Sequence, residues 1–396
     1  MQIADRLVPL QTNVFADMDS AKAKAIASGK PIIDLSLGSS DLPTPDHVLD
    51  AIATALKDPD THGYALFNST RDFRVAAAQW YAQKFGIEVD PETEVLPLIG
   101  SQEGTAHLPL AVMNPGDVAL LLDPGYPSHA GGVYLAGGTL YPMPILAEND
   151  FLPVLSDIPK DVLAKSRMMV LSYPHNPTTA SAPLSFFRAA VAFCQQHNIV
   201  LVHDFPYADL YFEGEPVPSV LQADPEKSVS IEFFTLSKSY NMGGFRVGYA
   251  IGNARLIKAL RQVKATVDFN QYRGILRGAI AALSGPQTCV AQMVDTFAGR
   301  RDAAVEALHS IGWSVPVPSA TMYIWAKLPS SLPNGWATDS IDFCTSLVAA
   351  TGVALSPGRG FGKSGEGYVR FALVQSPDVL AEAIDKIGDF IQQATA

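Results

Sequence analysis

The sequence predicts an α/β protein: a large unit built on a mostly parallel sheet covered by helices, and a smaller α+β unit. Three observations carry that prediction. Short apolar runs alternate with helical patterns from about residue 46 to residue 285, and strands alternating with helices imply parallel pairing with both faces covered. After residue 286 the order changes to a long helical pattern, then strand, helix, strands and a last helix. The length, 396 residues, suits one large and one smaller domain at roughly 100–200 residues apiece.

In order along the chain, Asp117–Leu122, Arg167–Ser172, Ile199–His203, Ile231–Leu236 and Val247–Ile251 read as buried strands. Between them Thr105–Met113, Leu184–His197 and Ala254–Thr266 carry helical spacing of apolar residues. The second unit reads as a helix over Gln287–Ile311, a strand over Thr321–Lys327 and another helix. Strands over Val353–Ser356 and Tyr368–Leu373 and a final helix from Ser376 to about Ala394 complete it. The hinge is expected near 284–300. Residues 46–286 then form the large unit, and residues 1–45 fold back onto 287–396.

Composition narrows the function. Lysines and arginines number 28 against 39 acidic residues, a formal charge of −11, so the broad basic face that nucleic-acid binding requires is missing. The three cysteines, Cys194, Cys289 and Cys344, are far apart and odd in number, which suits no disulfide framework or metal clip and fits a reducing cytoplasm. The N-terminal stretch has no signal-peptide core. No segment approaches the roughly 20 apolar residues of a membrane span. Two nucleotide-site lookalikes fail. Gly362-Lys363-Ser364 lacks the P-loop's first glycine, since position 357 is proline, and it runs into a strand pattern rather than a helix. The glycines of 131–138 do not spell GxGxxG.

The informative stretch is Thr235-Leu236-Ser237-Lys238-Ser239-Tyr240-Asn241-Met242-Gly243-Gly244-Phe245-Arg246. A strand delivers two hydroxyls and a lysine at its end, and a glycine turn returns an arginine eight residues later. Desolvation and a neighbouring guanidinium favour the neutral, nucleophilic form of a lysine. Thr235, Ser237 and Arg246 make a site for a phosphate dianion. An amine nucleophile and a phosphate site together suggest pyridoxal phosphate.

That cofactor requires more, and candidates are present. Gly100-Ser101-Gln102-Glu103-Gly104 opens a helix whose free N–H groups suit an anion. Asp204 ends a strand at the carboxyl edge, where a carboxylate could keep a pyridine nitrogen protonated. Tyr207, three residues on, and Asn176 in Tyr173-Pro174-His175-Asn176-Pro177 could bond the ring oxygen. Tyr126 in Asp123-Pro124-Gly125-Tyr126-Pro127 could lie against the ring. Arg370, inside the apolar stretch Gly367–Phe371, is either half of an internal salt bridge or a fork for a substrate carboxylate.

With these residues in place the chain resembles class I/II aminotransferases of the fold-type I pyridoxal-phosphate superfamily, in the aspartate-aminotransferase-like group near diaminopimelate and succinyl-diaminopimelate aminotransferases. The motifs DLSLGSSDLPTP, HGYALFNSTRDFR, GSQEG, DPGYP, YPHNPT, HDFPYADLYF, TLSKSYNMGGFRVGYA and EGYVRFAL follow one another in the family's order over almost the whole chain. The resemblance implies the pyridoxal-phosphate transferase fold and a Schiff base on Lys238. It implies a phosphate held by Ser101, Gln102, Thr235, Ser237 and Arg246, with Tyr64 reaching in from the partner subunit of a homodimer. Tyr126 would stack on the ring, Asp204 would pair with its nitrogen, and Asn176 and Tyr207 would bond its oxygen. Arg370, with Asn176 and the backbone of Gly38, would take the substrate's α-carboxylate. Asn270 and Tyr272 resemble further cross-subunit contacts.

Two departures bear on substrate choice. Close relatives often carry lysine where this chain has Gln102, and the family's usual LGIGDPD is LSLGSSD here. The expected reaction is ping-pong amino transfer between an L-amino acid and a 2-oxo acid. Glutamate and 2-oxoglutarate would be one pair, with alanine, aspartate or LL-diaminopimelate in the other. A β-lyase or decarboxylase on the same fold is the alternative. Arg273 is a further candidate for a second substrate carboxylate.

Overall fold

The apolar runs read as strands before residue 286 all enter one seven-stranded sheet in a computed structural model that describes residues 3–10, 14–214, 216–333 and 335–395. In chain order the strands are β1 (Ile33–Asp34), β2 (Val95–Leu98), β3 (Val118–Asp123), β4 (Thr139–Pro144), β5 (Ser166–Leu171) and β6 (Val200–Asp204). They continue with β7 (Ser230–Thr235), β8 (Gly248–Gly252), β9 (Tyr323–Lys327), β10 (Val353–Ala354), β11 (Ser356–Pro357) and β12 (Tyr368–Ala372). The helices are α1 (Val14–Ala27), α2 (Asp46–Ala55), α3 (Arg71–Phe85), α4 (Ser101–Val112), α5 (Ser128–Leu135), α6 (Lys160–Leu163) and α7 (Leu184–His197). After them come α8 (Leu236–Ser239), α9 (Ala254–Val267), α10 (Arg273–Ser284), α11 (Thr288–Ser310), α12 (Ser340–Thr351) and α13 (Pro377–Thr395).

The large sheet has the order β2-β8-β7-β6-β5-β3-β4, and β8 alone runs against the rest. Successive residues of a strand face opposite sides, so Ala119 and Leu121 join a core with Leu108 of α4 and Leu260 of α9. Val118 and Leu120 join the other core, with Phe73 of α3, Phe187 of α7 and Leu276 of α10. Local chemistry sets the helix ends. Asn253 caps α9 by accepting from the backbone N–H of Arg255 and Leu256 at 3.0 and 3.1 Å. Asn198, at φ 53°, stops α7 in the left-handed conformation.

A separate apolar cluster gathers Phe297 of α11, Leu347 of α12, Ile384 of α13 and Ile324 of β9 with Met18 of α1 and Leu35. Here β9, β11 and β12 form a three-stranded antiparallel sheet, and β1 pairs parallel with β10. Among the described residues no helix is long and apolar enough to cross a membrane.

Each predicted strand of the large sheet is present within one residue of its expected bounds, and α7 matches at both ends. Two strands of that sheet were not anticipated. β2 and β4 are the two edges of the sheet and contain Pro97, Pro142 and Pro144, residues that an edge tolerates and that erase the strand signal. The run 353–356 is not one strand. The chain changes partner at Leu355, giving β10 to β1 and β11 to β12. The helix expected from Thr105 begins at Ser101.

Candidate active site

The sheet direction concentrates the chemistry. The strands β2, β3, β5, β6 and β7 deliver to one edge the residues that follow their carboxyl ends, and the chain enters antiparallel β8 from that same edge. A cavity of about 990 Å³ opens there, the position where open α/β sheets bind ligands. Gly38, Ser101, Gln102, Tyr126, Asn176, Asp204, Tyr207, Thr235, Ser237, Lys238, Arg246 and Arg370 all line it. Tyr64 does not line it and is 88% exposed.

One end is prepared for an anion. Helix α4 starts at Ser101 behind Gly100, which stands at φ 74° and offers no side-chain cap. The Glu103 N–H donates to the Gly100 carbonyl at 3.2 Å, which leaves the N–H groups of Ser101 and Gln102, both residues of the cavity wall, at the positive end of the helix dipole. A Cβ at Gly100 would come within 2.5 Å of Arg246 Nη2, which places the guanidinium over the helix start and explains the glycine. Arg246 itself is at φ 52° and donates from Nη1 to the Gly243 carbonyl at 3.0 Å. Thr235 Oγ1 donates to Ser237 Oγ at 2.9 Å and accepts from Ser237 N at 3.2 Å, gathering both hydroxyls beside it. Below, the fully buried Lys264 grips both oxygens of Glu103 at 2.8 and 3.0 Å, locking the first turn of α4.

At the middle of the cavity Lys238, on the single turn of α8, donates to the Gly38 carbonyl. Among the described residues no carboxylate pairs with it. Asp204 is buried, and its Oδ2 meets His129 Nε2 at 2.9 Å while Oδ1 has no partner. Tyr126 packs edge-on against His129, ring centroids 5.6 Å apart. Tyr207 donates to Tyr323 at 2.9 Å. Burial, then the neighbouring Tyr323, pushes the Tyr207 hydroxyl well above the usual phenol value, so it keeps its proton.

At the far end Arg370 is buried without an acidic partner among the described residues, so the internal salt bridge is not what holds it. Nη1 donates to Asn176 Oδ1 at 2.7 Å, and Nη2 donates to the Ser36 carbonyl at 2.7 Å and to Ser356 Oγ at 3.2 Å. Nε has no partner, and the guanidinium lies 4.3 Å from the Tyr323 ring centroid and 4.7 Å from that of Phe361. The wall of the same cavity also carries Asp19, Lys22 and Arg359. Lys22 is paired with Asp19 at 2.8 Å and Asp34 at 3.1 Å.

Three further candidates lie outside this chain's own cavity. Arg273 is not in the cavity but in a separate groove with Asp60, Thr61 and Asp72. Asn270 donates to the Ala65 carbonyl at 2.8 Å, and Tyr272 meets Thr61 Oγ1 at 2.9 Å, so both brace this chain's own segment around Tyr64. Sequence reasoning missed His129 and Tyr323. His129 follows Tyr126 by one helical turn, and Tyr323 starts an apolar strand that reads as core.

Residues 30–387 match the family described as aminotransferase class I and II. An LL-diaminopimelate aminotransferase of Dehalococcoides mccartyi is 43% identical over 394 residues, covering all of both chains. One of Halothermothrix orenii is 40% identical over 387 residues, 98% of each chain. The solved structure of a probable N-succinyldiaminopimelate aminotransferase from Thermus thermophilus is 42% identical, with a TM-score of 0.89 over 95% of this chain and 99% of that one.

Proposed function

The chain belongs to the class I and II aminotransferase family and is a pyridoxal-phosphate-dependent transaminase, and from that premise we propose that Lys238 is its cofactor attachment point and LL-diaminopimelate its amino donor, with 2-oxoglutarate as acceptor. One observation carries the site assignment: an amine without a carboxylate partner, a buried carboxylate with an unused oxygen and an uncapped helix start under an arginine share one cavity. These groups fit pyridoxal phosphate. Ser101, Gln102, Thr235, Ser237 and Arg246 would hold the phosphate, the free Oδ1 of Asp204 would take the protonated ring nitrogen, and Asn176 and Tyr207 would face the ring oxygen. Tyr126 would cover the ring.

Bound there, the cofactor supplies a carbonyl carbon that joins amines and a cationic ring that draws electrons from the substrate Cα. The protein's own residues do the rest. Displaced by the incoming amine, Lys238 Nζ would take the proton from the substrate Cα and deliver it to the former carbonyl carbon of the cofactor, as a general base held in place by the one-turn helix α8. Arg370 forks onto the α-carboxylate beside Asn176, and its open Nε–H adds a donor. Asp204, oriented by His129, would offer its unpartnered Oδ1 to the ring nitrogen.

Two things support the donor. The relatives at 40–43% identity over nearly the whole chain carry that name. In addition, the wall of the same cavity carries Arg359, a cation that has no ion-pair partner among the described residues, as the distal carboxylate of such a donor requires. We infer a homodimer from the exposure of Tyr64, which the Asn270 and Tyr272 contacts hold at the surface away from its own cavity. We further propose a larger unit of residues 46–286 and a smaller one of 1–45 and 287–396, a division supported by the apolar cluster that gathers α1, α11, α12 and α13 apart from the large sheet. We place the protein in the cytoplasm, where its three free cysteines remain reduced.

The test is a half-reaction screen. Purified holoenzyme is mixed with LL-diaminopimelate, its N-succinyl derivative, glutamate, aspartate or alanine, and the visible absorbance is followed. LL-diaminopimelate and glutamate are expected to bleach it fastest. Bleaching by alanine or aspartate but not by LL-diaminopimelate overturns the donor assignment. Lys238→Ala is expected to abolish turnover, and near-wild-type turnover in that variant refutes its role.

A further inference from the structure

We propose that Tyr323 is a positioning residue that ties the arginine awaiting the substrate's α-carboxylate to the tyrosine facing the cofactor ring, an inference that rests on the assignment of Arg370 and Tyr207 above. Tyr323 is the first residue of β9, and register places it opposite Ala372 of β12, two residues beyond Arg370. Its side chain is fully buried and touches three parts of the site at once. The ring face supports the Arg370 guanidinium at 4.3 Å. The hydroxyl meets Tyr207 Oη at 2.9 Å, with the rings at 80° to one another. The same hydroxyl lies where a Cβ on Gly38 would fall, and the Gly38 carbonyl accepts from Lys238.

The proton inventory gives this contact a direction. A phenol has one proton to donate. Without a ligand Tyr207 gives its proton to Tyr323, and no acceptor for the Tyr323 proton is found among the described residues. A ring oxygen carrying negative charge requires Tyr207 to turn its proton toward the ligand. Tyr323 must then reverse from acceptor to donor. It is suited to that exchange. Burial alone would push its pKa up, but the charges of Lys238 and Arg370, and in the ligand-free arrangement the bond from Tyr207, hold it below the usual phenol value. A more acidic hydroxyl donating into Tyr207 polarises it into a stronger donor toward the ring oxygen. A carboxylate arriving at Arg370 offsets part of the positive charge over the Tyr323 ring, so the same residue reports substrate arrival to the cofactor side.

The variants Y323F and Y323L separate the two halves. Y323F keeps the ring and loses the hydroxyl. The pH midpoint of the holoenzyme's visible absorption band is expected to rise by about half to one unit, the shift worth one hydrogen bond of ordinary net strength, with the donor KM within about twofold of wild type. Y323L also removes the ring face, and 2-oxoglutarate binding to the resting holoenzyme, which holds no amino group to pass on, is expected by calorimetry to weaken about tenfold, the range of a desolvated cation–π contact. In a Tyr207→Phe background Y323F is expected to add no further midpoint shift. An unchanged midpoint in Y323F, a shift that persists without the Tyr207 hydroxyl, or unaltered 2-oxoglutarate affinity in Y323L overturns the inference. A wild-type visible band that survives Lys238→Ala overturns the site assignment instead, and this inference with it.

Discussion

His203 and Asp204 are neighbours on β6 and face opposite sides of the sheet, yet their surroundings differ in kind. His203 belongs to a closed polar network. Its Nδ1 meets Glu232 Oε1 at 2.7 Å and its Nε2 meets the Tyr173 carbonyl at 3.0 Å. Glu232 also accepts from Val220 N at 2.9 Å, Ser219 Oγ at 2.6 Å and Tyr81 Oη at 3.1 Å. His203, Glu232, Ser219 and Tyr81 are fully buried, and none has an unpartnered atom. Asp204 is equally hidden but keeps Oδ1 unpartnered, as Arg370 keeps Nε. A buried polar atom left unsatisfied costs about 1–3 kcal/mol. Tyr249 Oη and Ser230 Oγ are unpartnered away from the cavity, whereas Asp204 Oδ1 and Arg370 Nε belong to two residues that line it together. Closed polar chemistry here holds the fold, and open polar chemistry waits for a ligand.

That contrast can be broken from either side. Glu232→Ala leaves His203, Ser219 and Tyr81 without their shared acceptor. It is expected to lower unfolding stability by about 3–5 kcal/mol, read from urea denaturation, with turnover per folded molecule preserved. Asp204→Asn should do the reverse. Turnover is expected to fall about 10²–10³-fold, some 3–4 kcal/mol in the barrier, while stability changes by less than about 1 kcal/mol. An equal loss of stability in both variants would erase the distinction.

A smaller effect tests the loop between the two environments. His175 is fully buried and held by Thr178 Oγ1 at 2.8 Å; burial, then the nearby His129, pushes its imidazole down to about 3. A folded-state value below the ordinary 6.5 means that protons bind the unfolded chain more readily. The stabilisation from the neutral ring is therefore complete above about pH 6.5 and is lost as pH falls from there toward 3, at up to about 1.4 kcal/mol per unit. Between pH 6.5 and 5 the wild type is expected to lose about 2 kcal/mol more than His175→Asn by urea denaturation. Parallel pH profiles would show that His175 charges without cost.

The sequence revealed the interior of the large sheet better than its margins. β3, β5, β6 and β7 are apolar runs buried on both faces, so their composition alone marks them. β2 and β4 answer to a single neighbour each and admit proline. In the site, residues fixed by local chain geometry were legible: Asp204 at a strand end, Ser101 at a helix start, Lys238 and Arg246 bracketing a glycine turn. His129 was not, because its value lies in reaching Asp204, 75 positions away. Tyr323 was hidden for a different reason, since an aromatic beginning an apolar strand is ordinary core until Arg370 is seen across its face.

The pairing of β1 with β10 sets an order of events as the chain is made. Residues 33–36 are held by Val353, Ala354, Ser356, Arg370 and Ala372, and Gly38 follows them directly. At about 5–20 residues per second, the stretch that carries Gly38 waits on the ribosome for tens of seconds until its partners emerge. The seven-stranded sheet can close in the meantime. A chain ending before Val353 lacks Val353, Ala354, Ser356, Arg370 and Ala372 as partners of residues 33–36, and with them the support for Gly38 beside Lys238.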